Sequence, residues 1–210
     1  MVRAGLTTER VVAAAADLAD SIGFDNVTVS ALARGFGVKD ASLYSHVKNL
    51  RDLRTRVALL AAGEFADRLS EAVAGRAGKD ALVGFADAYR KFATERPGRY
   101  RATRMRIDPA DAAESGALHR TVGTFYAMMR AYRLTEPDPT DAVRLLRSTL
   151  HGFSDLEADG AFRAARGVDA SWERSVEALH VVLESWPSTT HADGGDEDDG
   201  TARERTRVRG

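Results

Sequence analysis

Hydrogen-bonding side chains are concentrated in residues 39–48, which read KDASLYSHVK around two apolar residues one helical turn apart. In a helix, Leu43 and Val47 face inward, and the remaining side chains face solvent or a partner. Hydroxyl, amine and imidazole groups at such positions could bond to phosphate oxygens and to base edges in a DNA groove. With two hydroxyls just upstream, the candidate contact residues are Thr28, Ser30, Lys39, Asp40, Ala41, Ser42, Tyr44, Ser45, His46 and Lys48.

The elements that must position these side chains are two short helices joined by a glycine-containing turn. Val29, Leu32 and Ala33 share one face of the first helix. Thr28 stands where a side-chain oxygen would cap the free N–H groups of that helix. The glycines within residues 35–38 can take the left-handed conformation that closes a helix. This arrangement predicts a helix-turn-helix, whose second helix fits a major groove.

The segment resembles the DNA-binding domain of the tetracycline-repressor (TetR) family of bacterial transcription regulators. In that family the second helix ends in leucine-tyrosine-x-histidine followed by phenylalanine or valine, and residues 43–47 read LYSHV. The similarity includes a preceding helix at residues 11–22 and a following helix that opens at Asn49. The resemblance implies sequence-specific binding to a double-stranded DNA operator, with repression as the usual outcome.

Two positions near this helix, Lys39 and Leu50, depart from the family pattern. Lys39 stands where many members carry a capping serine, so either Asp40 takes the cap one residue later or Lys39 points at a phosphate. Asp40 is then either a helix cap or a reader of a cytosine amino group. Leu50 replaces a common lysine, and Arg51 or Arg54 could supply the missing phosphate contact.

Length and composition favour an all-α protein with more than one domain. The chain has 210 residues, no cysteine and a formal net charge of −1. The absence of cysteine excludes disulfides and thiolate metal sites. Apolar residues recur at helical rather than alternating spacing. We expect a three-helix helix-turn-helix head (1–50), a C-terminal helical ligand-binding and dimerisation domain (51–186), about nine helices in all, and a disordered charged tail (187–210).

Glycine and proline residues divide the C-terminal domain into helices. The pattern predicts a connecting helix that ends near residue 75 and further helices at 80–95, 99–107, 140–162 and 170–186. One further long helix, between those at 99–107 and 140–162, is expected to carry a single apolar stripe. That stripe consists of Leu118, Val122, Phe125, Met129 and Tyr132.

The last two helices are candidates for a homodimer interface. Residues 145–157 resemble a C-terminal module named for its Trp-His-Gly motif, with Leu150 in place of the tryptophan. This helix carries two adjoining apolar faces, and Gly152 would let a second backbone approach closely. We expect a four-helix interface between two protomers, the alternative being burial of both faces within one chain. The expected interface residues are Leu145, Thr149, Gly152, Leu156, Trp172, Val176, Leu179 and Leu183.

Aromatic and sulfur-containing residues of the middle helices could line a cavity for a small-molecule effector, although ordinary core packing is the simpler interpretation. The resemblance implies that a bound effector tilts the first helix of the C-terminal domain and so releases a palindromic operator. The candidates are Tyr89, Phe92, Tyr100, Met105, Phe125, Met128, Met129 and His151. We expect no cofactor and no metal site, since His46 has no second ligand one turn away.

Enzymatic interpretations are weak. Residues 75–80 lack the spacing of a phosphate-binding loop. Ser148, His151 and Asp155 lie at helical spacing but without an oxyanion hole or a nucleophile elbow. We therefore expect no enzyme, and the alternative function is a helical ligand-binding protein without DNA-binding activity. The apolar runs are too short to span a membrane and no signal peptide is evident, so we expect a cytoplasmic protein.

Overall fold

Ten α-helices and two 3-10 turns make up the regular structure of the residues that the computed structural model describes, which are 6–187 without the side chain of Glu114. No β-strand occurs in this range, so the prediction of an all-α protein is confirmed. The helix count is one higher than expected because residues 109–115 form a helix of their own. The predicted tail lies outside the described residues, apart from Pro187.

The first three helices pack around a small apolar core. α1 (Thr8–Ile22) and α2 (Val29–Phe36) are each preceded by a capping threonine, Thr7 or Thr28, whose side chain accepts a backbone hydrogen bond. α2 ends at Gly37, which has φ of 67° and is therefore in the left-handed region that glycine adopts without strain. α3 (Asp40–Leu43) follows after two residues. These local signals fix the turn between α2 and α3.

The long helix α4 (Leu50–Val73) connects two hydrophobic cores. It begins at Asn49, whose side chain accepts from the N–H of Asp52. Its first half contributes Leu53 and Val57 to the core of the first three helices. Its second half contributes Phe65 and Leu69 to a second core. A tilt of α4 would therefore change the position of one core relative to the other.

The second core is formed by four longer helices of the C-terminal half, together with the second half of α4. They are α5 (Gly78–Glu95), α8 (Ala117–Met129), α9 (Asp138–Ala158) and α10 (Val168–Glu184). Phe85, Leu82, Leu146, Leu150 and Leu183 are fully buried among them. Two shorter helices, α6 (Pro97–Ala102) and α7 (Pro109–Ser115), complete this half.

Several predicted helix boundaries are corrected. The short helix expected at 99–107 begins two residues earlier, because Pro97 occupies a first-turn position, and ends at Ala102. The single apolar stripe expected from residue 118 to 132 is interrupted: α8 ends at Met129, and Leu118 and Val122 remain exposed. α9 ends at Ala158, four residues earlier than expected. Among residues 6–187, every helix is too short or too polar to cross a membrane.

Candidate nucleic-acid interface and interior cavity

The short helix α3 is anchored by two apolar side chains and continued by one further turn. Leu43 and Val47 are buried in the first core, as the sequence predicts. Beyond Leu43 the N–H groups of His46 and Val47 both donate to the Leu43 carbonyl, at 2.9 and 3.1 Å. The helical turn therefore extends past the last residue of α3, and its inner face is fixed by packing.

The opposite face presents the predicted contact residues to solvent. Tyr44 is 53% exposed, which is unusual for a tyrosine that has apolar neighbours on its own helix. Asp40 and His46 are half-buried, and the other predicted residues are exposed. The exposed ones are Thr28, Ser30, Lys39, Ala41, Ser42, Tyr44, Ser45 and Lys48.

The structure corrects one interpretation of Asp40, which does not cap α3. The cap position of α3 belongs to Lys39, and no side chain caps this helix. The Asp40 carboxylate instead accepts from the hydroxyl of Ser30 on α2. This hydrogen bond joins the two helices of the turn, so Asp40 positions α3 against α2.

Thr28 is confirmed as the N-cap of α2. Its hydroxyl oxygen accepts from the N–H of Ala31 at 3.1 Å, which leaves its O–H proton available to an outside acceptor. Because the helix N-terminus also carries a partial positive charge, this end of α2 favours an anion such as a phosphate.

The basic side chains near α3 divide into free and engaged groups. Within residues 6–187, the side chains of Arg34, Lys39 and Lys48 are exposed and form no ion pair. Arg54, expected as a substitute phosphate contact, is instead engaged inside the fold, because it donates to the carbonyls of Asp25 and Val27 at 2.7 and 3.1 Å. Arg51 lies 3.9 Å from Asp108 at the surface, so its guanidinium remains accessible.

The start of α4 holds Lys48 in place. The N–H of Lys48 donates to the Asp52 carboxylate at 2.9 Å, and Arg56 donates to the same carboxylate at 3.1 Å. Burial raises the pKa of Asp52, but these two hydrogen bonds outweigh it and hold the pKa below its ordinary value. Asp52 is therefore ionised near neutral pH and fixes the backbone from which the Lys48 side chain extends.

The helix α6 links the first three helices to the C-terminal half. Arg99 is only 5% exposed, and its guanidinium pairs with Asp20, with Asp17 at 2.8 Å and with Glu64 at 2.9 Å. Gly98 lies directly against the backbone of Ala19. These contacts hold α6 against α1 and α4, and sequence reasoning missed them because Arg99 and Asp20 lie far apart in the chain.

A cavity of about 560 Å³, open to solvent on one side, lies between the middle helices and α9. Five of the eight predicted cavity residues line it. The other three, Phe92, Met128 and Met129, are corrected: their side chains are buried in the second core and do not reach the cavity. The five that line it are Tyr89, Tyr100, Met105, Phe125 and His151.

One wall of the cavity is a chain of hydrogen bonds. Tyr100 Oη lies 3.1 Å from Tyr89 Oη and 2.6 Å from His151 Nδ1. His151 Nε2 lies 3.0 Å from Arg104 Nη1, and Arg104 also pairs with Asp155. Burial lowers the pKa of His151, and the positive charges of Arg104 and Arg147 lower it further, whereas Asp155 raises it. The pKa is lowered overall, so the ring is neutral near neutral pH. Arg104 and Arg147 also line the cavity, which sequence reasoning missed because surface arginines are common.

The side chains of Ser148 and His151 on α9 bond to different groups. The Ser148 hydroxyl donates to the Leu145 carbonyl at 3.0 Å, one turn back on the same helix. His151 is instead bonded to Tyr100 and Arg104. No group of three or more potential metal ligands occurs among the described residues.

Half of the predicted dimer interface is corrected. The α10 side chains named for it are buried within the single chain, because that face of α10 packs against α5 and α9. These residues are Trp172, Val176, Leu179 and Leu183. The opposite face of α10 is exposed and carries Ala178, Val181 and Val182.

On α9, the predicted interface residues lie on the outside of the chain. Leu145 and Leu156 are exposed, and Thr149 and Gly152 are half-buried. No atom of the described chain lies within 4 Å of the position where a Gly152 Cβ would be. This face is therefore open in the single chain.

Two family models match this chain. Residues 11–57 match bacterial regulatory proteins of the tetR family, and residues 82–179 match a tetracyclin repressor-like C-terminal domain. An uncharacterized HTH-type transcriptional regulator of Mycobacterium tuberculosis, Rv0681, is 37% identical over 158 residues, which cover 75% of this chain and 72% of that protein. YobS of Bacillus subtilis, likewise an uncharacterized HTH-type transcriptional regulator, is 33% identical over 83% of this chain and 91% of its own length.

Solved structures share the fold at low sequence identity. A protein of unknown function from Rhodococcus sp. RHA1 superposes with a TM-score of 0.72 at 19% identity, over 87% of this chain and 98% of its own. The structure of BioQ with its double-stranded DNA operator superposes with a TM-score of 0.61 at 20% sequence identity, over 86% of this chain and 99% of its own. A TetR variant from Acinetobacter baumannii AYE in complex with minocycline superposes with a TM-score of 0.63 at 22% sequence identity, over 88% of this chain and 100% of its own.

Proposed function

The chain belongs to the TetR family of DNA-binding transcription regulators, and on that premise we propose that it is a ligand-responsive repressor that binds a palindromic operator as a homodimer. One observation carries the proposal: Leu43 and Val47 are buried while the polar side chains between and around them are exposed. A helix held in this way can enter a major groove without rearrangement. We assign residues 1–50 to the DNA-binding domain and 51–186 to the ligand-binding and dimerisation domain.

We propose that the exposed residues of α2 and α3 contact the operator. Lys39, Lys48 and the hydroxyls of Thr28 and Tyr44 suit phosphate oxygens, which position the helix. Ser42, Ser45 and His46 suit base edges or further phosphates. Ser30 and Asp40 act by holding α2 and α3 together, through the hydrogen bond between them. Ala41 offers a methyl group that can pack against a thymine methyl.

We infer that two chains associate through α9 and α10. The contact surface would combine the open face of α9 around Gly152 with the exposed face of α10 around Val181 and Val182. Apolar side chains exposed at this density on adjacent helices indicate a protein contact. A dimer would present two recognition helices, and half-sites one DNA turn apart require a separation of about 34 to 36 Å.

The cavity is the proposed effector site. Its volume of about 560 Å³ falls in the range of small-molecule sites. Tyr100 lines the cavity, and the adjacent residue Arg99 pairs with α1 and α4. An effector that displaces α6 would therefore shift the DNA-binding head and lower operator affinity. We propose no catalytic activity and a cytoplasmic location.

The proposal is tested by gel shift of the purified protein on the DNA upstream of its own gene. The double variant Tyr44→Phe, Lys48→Ala removes two expected phosphate contacts and should weaken operator binding about 10- to 100-fold. The matched control Tyr126→Phe, Lys91→Ala makes the same changes in the C-terminal half and should bind as the wild type does. Equal binding by both variants would contradict the assigned surface.

Sequencing of genomic fragments retained by the protein gives the operator. A palindrome whose affinity falls steeply with salt is expected, because each neutralised phosphate releases a counterion. Retention of no fragment above background would favour a helical ligand-binding protein without DNA-binding activity.

A further inference from the structure

The cavity has two chemically different sides. Its apolar side consists of aliphatic and aromatic side chains from α4, α8 and the segment after α6, among them Leu59, Phe65, Met105, Val122 and Phe125. Its polar side is formed by side chains of α5, α6 and α9 and by Arg104, which follows α6. A ligand that fills this space must therefore combine an apolar body with a polar group at one end.

The polar side carries an uncompensated positive charge. Three arginines line the cavity, and none of its described lining residues is acidic. Arg104 is paired with Asp155, and Arg144 lies 3.2 Å from Asp141. Arg147, by contrast, is exposed and has no carboxylate oxygen within 4.0 Å among the side chains that the structure describes. One guanidinium charge thus remains for a ligand to neutralise.

The hydrogen-bond chain on this side ends in a free donor. A guanidinium can only donate, so His151 Nε2 accepts from Arg104 and the ring proton lies on Nδ1. Nδ1–H then donates to Tyr100 Oη, and the Tyr100 hydroxyl donates to Tyr89 Oη. The proton of the Tyr89 hydroxyl has no acceptor among the described groups.

Tyr89 is well placed to offer that proton to a ligand. It is only 5% exposed, and it lines the cavity. Burial raises the pKa of Tyr89, so the hydroxyl is protonated near neutral pH. A buried donor without an acceptor costs free energy until an acceptor is supplied. An oxygen of the ligand would satisfy it.

We propose that the effector is a carboxylic acid with an apolar body. The Arg147 guanidinium and the Tyr89 hydroxyl bind its carboxylate at the polar side of the cavity, and the aromatic and aliphatic residues of the apolar side contact its body. A single negative charge matches the single uncompensated arginine, and a carboxylate has two oxygens for the two donors. This inference rests on the proposed role of the cavity as the effector site. An acid of about ten carbons is of a size that such a cavity encloses.

The test compares three probes that share a ten-carbon chain: decanoate, decan-1-ol and protonated decylamine. Binding to the full-length protein is measured by isothermal titration calorimetry below the micelle concentration of each probe. Decanoate should bind at least about tenfold more tightly than decan-1-ol, and decylamine more weakly than both. Equal affinity for acid and alcohol, tightest binding of the amine, or no binding of any probe would overturn the proposal.

The variant Arg147→Gln isolates the charge. It should weaken decanoate about tenfold and leave decan-1-ol within about twofold. The matched control Arg163→Gln changes an exposed arginine outside the cavity and should leave both affinities unchanged. A parallel loss for acid and alcohol in Arg147→Gln would mean that the arginine shapes the cavity without binding the carboxylate, which would overturn the assignment.

Operator release, measured by fluorescence anisotropy, separates this inference from the proposed function. If decanoate binds with the expected preference but DNA stays bound, the ligand class holds and the repressor mechanism fails. If decan-1-ol or decylamine releases DNA and decanoate does not, the mechanism holds and the ligand class fails.

Discussion

At the scale of single residues, the structure distinguishes side chains that are available to a partner from those that the fold already uses. Arg54 and Lys48 lie close together in sequence and both are basic, but Arg54 donates to two backbone carbonyls while the Lys48 side chain is exposed. Asp40 is likewise engaged by Ser30. The proposed DNA-contact surface is therefore smaller than the cluster of charged residues suggests.

His151 makes protein stability depend on pH. Its pKa in the folded chain is lowered from 6.5, so below that pH the unfolded chain binds more protons than the folded one. The contribution of a neutral His151 to stability is therefore fully present above about pH 6.5 and is lost as the pH falls toward the lowered pKa. The groups that face the ring are Asp155, Arg104, Arg147 and Tyr100. Asp155 raises the pKa of His151, but burial and the two arginines lower it by more.

The variant His151→Gln should lose less stability than the wild type between about pH 7.5 and about pH 5.5, because a glutamine can accept from Arg104 and donate to Tyr100 without titrating. Urea denaturation at the two pH values measures the difference. His119→Gln, in which an exposed histidine is changed, should behave as the wild type does. An unchanged pH dependence in His151→Gln would show that another group is responsible.

At the scale of elements, α6 is the connection between cavity and head. It has only six residues, yet Gly98 and Arg99 contact α1 while Tyr100 lines the cavity. Such a short element has little core of its own, so its position depends on what fills the cavity and on the pairing of Arg99.

The variant Gly98→Ala tests this connection. An added Cβ would overlap the backbone of Ala19 and Asp20, so α1 and α6 must separate and the pairing of Arg99 with Asp20 is strained. We expect a loss of about 1–3 kcal/mol in the free energy of unfolding, together with weaker operator binding. Denaturant titration and gel shift measure the two effects.

Gly63→Ala is the matched control for this variant. Gly63 lies within α4, and no atom is close to the position of its missing Cβ. Alanine there should stabilise the helix by about 0.5–1 kcal/mol. A Gly98→Ala protein as stable as this control would exclude a tight contact between α1 and α6.

At the scale of the whole molecule, the proposed operator binding requires a second copy of the chain. A single head contacts one half-site, whereas two linked heads raise the effective affinity by roughly 100-fold or more. Val182→Asp places a charge at the centre of the proposed surface and should shift the mass in light scattering from twice 22.7 kDa to 22.7 kDa. Operator affinity should fall by at least about 100-fold.

Ile22→Asp is the control for this change, since Ile22 is 41% exposed and Val182 is 40% exposed. It should remain dimeric, because Ile22 lies at the end of α1, away from α9 and α10. A dimeric Val182→Asp protein with wild-type operator affinity would place the interface elsewhere.

The sequence alone determined the features that depend on neighbours within one or two helical turns. The cap at Thr28, the left-handed turn at Gly37 and the inward pair Leu43 and Val47 are all local, so they could be predicted. The proline and glycine breaks around α5, α9 and α10 are local too, and these helices were placed to within about two to four residues. Local signals are sufficient there because a helix is defined by bonds four residues apart.

Only the tertiary structure decided what each apolar or charged face contacts. Periodicity shows that Trp172 and Leu183 share a stripe, but not that this stripe faces α5 and α9 of the same chain. Likewise it cannot separate Met128, in the core, from Phe125, which lines the cavity. The pairing of Arg99 with Asp20 joins residues 79 positions apart. Such contacts are set by how whole helices pack, and a side-chain pattern within one helix does not specify its neighbour.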